Sequence, residues 1–138
     1  RNNKMKYKIL IVSANYYSDI SNNLIKKAKS FLKKKASVKI INVPGVFEIP
    51  VVISKNIKKF DGFIALGCVI KGQTPHFHFI SQASTNAIMN LSVKYKKPIS
   101  NGIITCLNNK QAKARSNNNK KNKGFEASKA VLSVLNNF

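Results

Sequence analysis

The segment Gly72–Phe79, GQTPHFHF, holds both histidines of the chain, His76 and His78, behind a glycine and a Thr-Pro pair. An imidazole titrates close to neutral pH and so serves proton transfer at pH 7. Thr74 suits a helix N-cap and Pro75 the first helical position, which leaves the free amides of a first turn near Gly72 and Gln73. Such amides attract an anion, and Gly72 has no side chain to keep one away from the backbone. A phosphate or carboxylate is the natural guest, with Lys71 either adding charge or simply solvated. His76 then falls second in that helix and His78 two residues on, so the two point roughly 200° apart at helical pitch. A metal shared between them is not expected from that divergence. His76 reads as an acid–base group beside an anion or as an ordinary structural histidine, and His78 reads as structural.

The chain has only four carboxylates, Asp19, Glu48, Asp61 and Glu126. Asp19 and Asp61 border a helix and a strand and look like cap or turn residues. Glu48 follows VPGVF, where it faces the same crevice as His76 or serves as a helix N-terminal acid. Glu126 opens the last helix, where the second reading is the stronger. Arg115 is notable in a chain that otherwise uses lysine, its one companion being Arg1. A guanidinium grips phosphate with two parallel hydrogen bonds and lysine does not, although a surface role serves Arg115 equally well. Tyr16 and Tyr17 offer an aromatic face for a flat ring or pack in the ordinary way. Cys68 and Cys106 match neither a CxxC nor a zinc spacing and read as packing cysteines of a reduced, cytoplasmic protein.

The elements that must position these groups alternate. Lys8–Ala14 is a short Ile/Val-rich run that reads as a buried strand. Ile20–Lys35 carries Ile20, Leu24, Ala28, Phe31 and Leu32 at helical spacing. A strand follows over Val38–Val43, then the turn VPGVFEIP, a helix over Val51–Phe60 and the most apolar strand, Gly62–Ile70. The third helix spans Ile80–Tyr95 and stops at Pro98, and Ile99–Cys106 gives the fourth strand. A polar segment, NNKQAKARS, leads into the loop NNNKKNKG and a last helix from about Phe125 to Leu135. Strands alternating with helices imply one α/β domain over residues 1–138, a flavodoxin-like three-layer αβα sandwich with a four-stranded parallel sheet. In such sheets ligands bind beyond the carboxyl ends of the strands, where GQTPHFHF falls.

With 25 Lys and Arg against four Asp and Glu, the 138-residue chain carries a formal charge of +21. Its lysines recur along nearly the whole chain rather than in one stripe with interleaved aromatics, so charge alone is a poor sign of nucleic-acid binding. The hydrophobic fraction of 43% excludes a disordered polyelectrolyte. Its longest apolar runs fall far short of the roughly 20 residues of a membrane span. The basic start, RNNKMKYKILIV, passes into polar residues without a cleavage pattern, and no signal peptide is expected.

The motifs VPGVFEIP (Val43–Pro50), LGCVIKGQTPHFHF (Leu66–Phe79) and NGIITC (Asn101–Cys106), with QAKARS and NKGFEA following, together resemble the lumazine synthase family. The resemblance covers nearly the whole chain. It implies condensation of 5-amino-6-ribitylaminouracil with 3,4-dihydroxy-2-butanone 4-phosphate, releasing inorganic phosphate and water, with no cofactor and no metal. By resemblance His76 is the proton-transfer residue. Arg115 anchors the phosphate with Gly72, Gln73, Thr74 and Lys123, and Glu126 stands nearby in support. Tyr16 stacks on the pyrimidine, and Val46, Phe47, Glu48, Val69 and Ile70 hold the ring and the ribityl chain. The second stacking position, usually aromatic in the family, is Asn101 here, and weaker pyrimidine binding is expected from it. His78 stands where an acid or other polar residue is common, and SNNNKK replaces a Gly-rich loop. The family implies a homo-oligomer, a pentamer with sites between subunits, and neither membrane nor specific nucleic acid as a partner. The segment before the first strand is short, so assembly into a larger capsid is not expected. Two other classes stand beside the enzyme: a scaffold of the same fold without turnover, and a basic nucleic-acid-binding protein.

Overall fold

A computed structural model describes residues 7–72, 77–118 and 121–138. The elements run β1 (Tyr7–Ala14), α1 (Ser18–Leu32), β2 (Ala36–Val43), a 3-10 turn (Val46–Glu48), α2 (Ile49–Lys55), β3 (Gly62–Ile70), α3 (Phe77–Tyr95), β4 (Ile99–Cys106), α4 (Asn109–Ser116) and α5 (Lys123–Asn137). The four strands form one parallel sheet in the order β2-β1-β3-β4. The α/β sandwich with a four-stranded parallel sheet expected from the sequence is what the chain forms.

Strand alternation divides the core in two. Ile9 and Ile11 of β1 and Ile64, Leu66, Cys68 and Ile70 of β3 pack on Leu24, Ala28 and Leu32 of α1 and Val131 and Leu132 of α5. Their neighbours in sequence, Leu10, Val12, Phe63, Ala65 and Val69, face Ile49 and Ile53 of α2 and Ile88 of α3. β3 is buried at every residue, as a strand covered on both faces must be. Every β-carbon of it is therefore committed to packing, and chemistry is left to the loops beyond its end.

Several boundaries differ from the sequence reading, each for a local reason. α1 stops at Leu32 rather than Lys35, because Lys34 takes a left-handed conformation (φ 69°) that ends the helix without the usual glycine. α2 begins at Ile49, with Pro50 in its first turn, and ends at Lys55 instead of running over Val51–Phe60. Asn56 caps it by donating to the Val52 carbonyl at 2.8 Å. The turn beyond is held by the Lys97 ammonium, which donates to the carbonyls of Ile57 (2.6 Å) and Phe60 (2.9 Å). NNKQAKARS, read as a polar segment, is the helix α4 from Asn109. It has no apolar stripe to announce it, but an asparagine cap does: Asn108 accepts from the Gln111 amide at 2.9 Å while the Gln111 side chain accepts from the Leu107 amide at 2.8 Å. α5 starts at Lys123, two residues before the expected Phe125, because Asn122 caps it. The Thr74 cap and Pro75 start of α3, and Asn119 and Lys120 of the expected loop, lie outside the described residues.

Candidate functional site

The carboxyl ends of β1, β2 and β3 converge on a crevice of about 300 Å³ lined by Tyr16, Tyr17, Gly45–Glu48, Cys68, Val69 and Ile80. Each wall has a local cause. β1 ends at Ala14, whose carbonyl accepts from the Ser21 hydroxyl in α1, so the chain turns sharply and leaves Tyr16 and Tyr17 at the rim. Their rings meet edge to face with centroids 4.9 Å apart. Beyond β2, extended Gly45 leads into the single 3-10 turn, which buries Val46 and turns Phe47 outward. Tyr16 (71% exposed) and Phe47 (66% exposed) thus present aromatic surface to solvent beside an apolar slot. Such surface suits a flat ring.

Glu48 contributes the crevice's one carboxylate. The ion pair between described residues is Lys123 with Glu126, at 3.2 Å. Among the described residues Glu48 makes no ion pair, and its carboxylate can accept hydrogen bonds from a polyhydroxylated or N–H-bearing guest. The Tyr17 hydroxyl is buried without a hydrogen-bond partner among the described residues. Burial first, then Tyr16 and Cys68, raise its pKa, so it stays protonated at neutral pH.

β3 leads past this crevice to Lys71 and Gly72, both exposed, and the Lys71 amide still donates to the Cys106 carbonyl at 2.8 Å. Gly72 sits at φ +85° with open space around its α-carbon, a conformation that glycine adopts without cost. Gln73, Thr74 and His76 fall outside the described residues. α3 runs from Phe77, with His78 exposed and its ring 5.0 Å from that of Phe77.

Arg115, Lys123 and Glu126 stand on α4 and α5, the helices that pack with α1, whereas Asn101 shares its strand face with Ile99 and Ile103 on the α2–α3 side. Arg115 is exposed in the last turn of α4 and donates to the Thr105 carbonyl (3.0 Å) and the Cys106 sulfur (3.7 Å). Burial raises the Cys106 thiol while the Arg115 guanidinium opposes it, and burial pushes Cys68 up to about 12. Both thiols are protonated and unreactive at neutral pH. Lys123 and Glu126 pair in the first turn of α5. Asn101 is exposed in the first half of β4, level with Ala65 of β3, and its side chain accepts from the Ile103 amide. Ile70 is buried in the α1–α5 core, so only its backbone is free to meet a ligand.

One chain therefore brings Tyr16, Val46, Phe47, Glu48 and Val69 together, while Asn101, Arg115, Lys123 and Glu126 do not line the same crevice. Sequence reasoning overlooked Ile80 and Cys68 as crevice walls. A reading of Asn122 as a helix cap was available from its place before the last helix. A larger cavity of about 750 Å³ lies between α1 and the edge of β2, lined by Lys26, Lys29, Lys33 and Lys34 among others. It holds cations but no acid–base group or aromatic face, so the strand-end crevice is the better candidate. Among the described residues, no helix is long and apolar enough to cross a membrane.

The sequence profile for 6,7-dimethyl-8-ribityllumazine synthase matches residues 6–138. A protein of that name from Bartonella bacilliformis is 44% identical over 132 residues, covering 92% of this chain and 87% of its own length. Its namesake from Agrobacterium fabrum is 40% identical over 135 residues, covering 92% and 91%. Another, from Campylobacter curvus, is 39% identical over 137 residues, covering 95% and 88%. With an aromatic-rimmed crevice at the strand ends and a profile match from one end of the sheet to the other, the chain belongs to the 6,7-dimethyl-8-ribityllumazine synthase family.

Proposed function

We propose that this chain forms 6,7-dimethyl-8-ribityllumazine, a step of riboflavin biosynthesis, by condensing 5-amino-6-ribitylaminouracil with 3,4-dihydroxy-2-butanone 4-phosphate. The observation that carries the reading is the crevice itself, built from the VPGVFEIP and LGCVI segments of a chain matched over residues 6–138. Tyr16 and Phe47 stack on or flank the pyrimidine, Val46 and Val69 supply its apolar floor, and Glu48 accepts from its polar edge and the ribityl hydroxyls. The chemistry needs an amine to add to a ketone, water and phosphate to leave, and a ring to close. Holding both reactants in one crevice removes much of the entropic barrier, and one imidazole can move the protons. His76, with Gly72, Gln73 and Thr74 before it, serves that role next to the phosphate.

Arg115 and Lys123 neutralise the phosphate, and Glu126 holds Lys123. Because these residues stand apart from the crevice of their own chain, we infer that they complete the crevice of a neighbouring copy, together with Asn101. Exposed apolar side chains along α3, Met89 (60%) and Val93 (70%), support burial of that helix between subunits of a pentamer. The reaction uses substrates of the cytoplasm, and the protein acts there without a metal or cofactor.

The test is lumazine formation, followed by absorbance and fluorescence, in the parent and in His76→Ala. Loss of an imidazole proton carrier lowers turnover about 10²- to 10⁴-fold. Product formed by the variant at the parent rate would remove His76 from the mechanism.

A further inference from the structure

Asn122 is fully buried, a rare state for an amide side chain, and it meets every hydrogen-bonding demand it has. Its Oδ1 accepts from the amides of Gly124 (2.8 Å) and Phe125 (3.3 Å), capping α5. Its Nδ2 donates to the carbonyls of Ser116 (2.8 Å) and Asn117 (3.0 Å), with the Asn23 carbonyl of α1 at 3.5 Å. The orientation of the amide is fixed by its surroundings, because backbone N–H groups lie on one side and carbonyls on the other. Ser116 and Asn117 are the end and C-cap of α4, immediately after Arg115. Lys123 immediately follows Asn122. One side chain therefore clamps the end of the helix that carries Arg115 to the start of the helix that carries Lys123.

We propose that Asn122 is a positioning residue for phosphate recognition, acting through Arg115 by holding the last turn of α4 in place. Arg115 itself is exposed and, among the described residues, is steadied by the Thr105 carbonyl and the Cys106 sulfur. A guanidinium that must meet phosphate oxygens bidentately tolerates little movement of its own backbone. Without the clamp, two carbonyls at the α4 terminus turn to solvent or to other donors and the Arg115 turn shifts with them. The proposal rests on the reading of Arg115 as a phosphate ligand.

The experiment uses the full chain and the variants Asn122→Ser, Arg115→Ala and the double variant. For each, the KM of both substrates is measured, together with inhibition by inorganic phosphate. Serine retains an N-cap oxygen for α5 but is too short to reach Ser116 and Asn117. Asn122→Ser is expected to raise the KM of the phosphate-bearing substrate and the phosphate inhibition constant by about tenfold, since small misplacements at a site are costly. The pyrimidine KM should stay within about twofold, and in the Arg115→Ala background the same change should add nothing further. A purely structural role would instead lower kcat with the folded fraction and leave both phosphate constants at parent values, which overturns the proposal. An unreduced effect of Asn122→Ser on top of Arg115→Ala overturns it as well. If Arg115→Ala alone leaves the phosphate constants unchanged, the reading of Arg115 fails and the proposal falls with it. Should Asn122→Ser not fold, Asn122→Asp takes its place. It preserves shape and cap while setting a carboxylate oxygen against the two carbonyls, and the same constants decide.

Discussion

Replacing Gly124 by alanine sets two effects of opposite sign against each other. Glycine to alanine in a helix is worth about 1 kcal/mol in favour of alanine by propensity. At Gly124, however, a β-carbon would collide with the Leu24 carbonyl oxygen of α1, and it would come within 2.9 Å of the Leu24 carbonyl carbon and 3.0 Å of the Asn122 side-chain oxygen. The first two obstacles are backbone, so no rotamer change relieves them. Restoring an ordinary C···O contact requires the start of α5 to withdraw from α1 by roughly 1 Å. A gap of that size forfeits a quarter to a half of the dispersion between facing atoms. The atoms concerned belong to Leu24, Ala28, Ala127 and Val131, all buried in one cluster. Overpacking costs about 1–3 kcal/mol, and the loosened interface adds to it, so a net destabilisation of about 2–3 kcal/mol is expected after the propensity gain. The assay is urea denaturation at fixed protein concentration. With a slope of about 2 kcal/mol per M, the midpoint should fall by about 1–1.5 M. A midpoint at or above the parent's would mean that propensity outweighs the contact and that Gly124 does not set the approach of α5 to α1.

Lys97→Met should destabilise the fold by about 2 kcal/mol, because the Ile57 and Phe60 carbonyls lose a charged donor. Lys94→Met, on the surface beside Tyr95, should change the urea midpoint by an amount equivalent to less than about 0.5 kcal/mol, and equal effects at the two sites would contradict the assignment. In the native protein at pH 8, Cys68 should react with iodoacetamide about a thousandfold more slowly than an ordinary thiol, from its raised pKa alone. Labelling should become rapid in urea, and rapid labelling of the native form would show that the thiol is accessible and ionised. Linkage gives the sign of the accompanying pH effect. Because Cys68 holds its proton more tightly folded than unfolded, its contribution to stability is full below about pH 9 and is lost as pH rises toward 12. Thermal melts of the parent and Cys68→Ala across that range check the difference.

Local pattern was enough to read the alternation of strands and helices, the position of GQTPHFHF after the central strand and the family resemblance. Apolar runs such as GFIALGCVI declare themselves because a strand buried on both faces tolerates no polar residue. The polar helix α4 was hidden by the same logic. Its stability comes from an asparagine cap and a tertiary clamp, and neither leaves a hydrophobic period. The helix stop at Lys34 was also silent, since the left-handed residue there is a lysine rather than a glycine, whereas Pro98 announced the end of α3 at Tyr95. Which residues meet became visible in the folded chain alone. It gathered Tyr16, Val46, Phe47, Glu48 and Val69 around one crevice, left Arg115 and Lys123 outside it, and joined their two helices through Asn122. Contacts between residues distant in the chain depend on strand order and helix docking, and those are set by the whole packed core rather than by any local run of sequence.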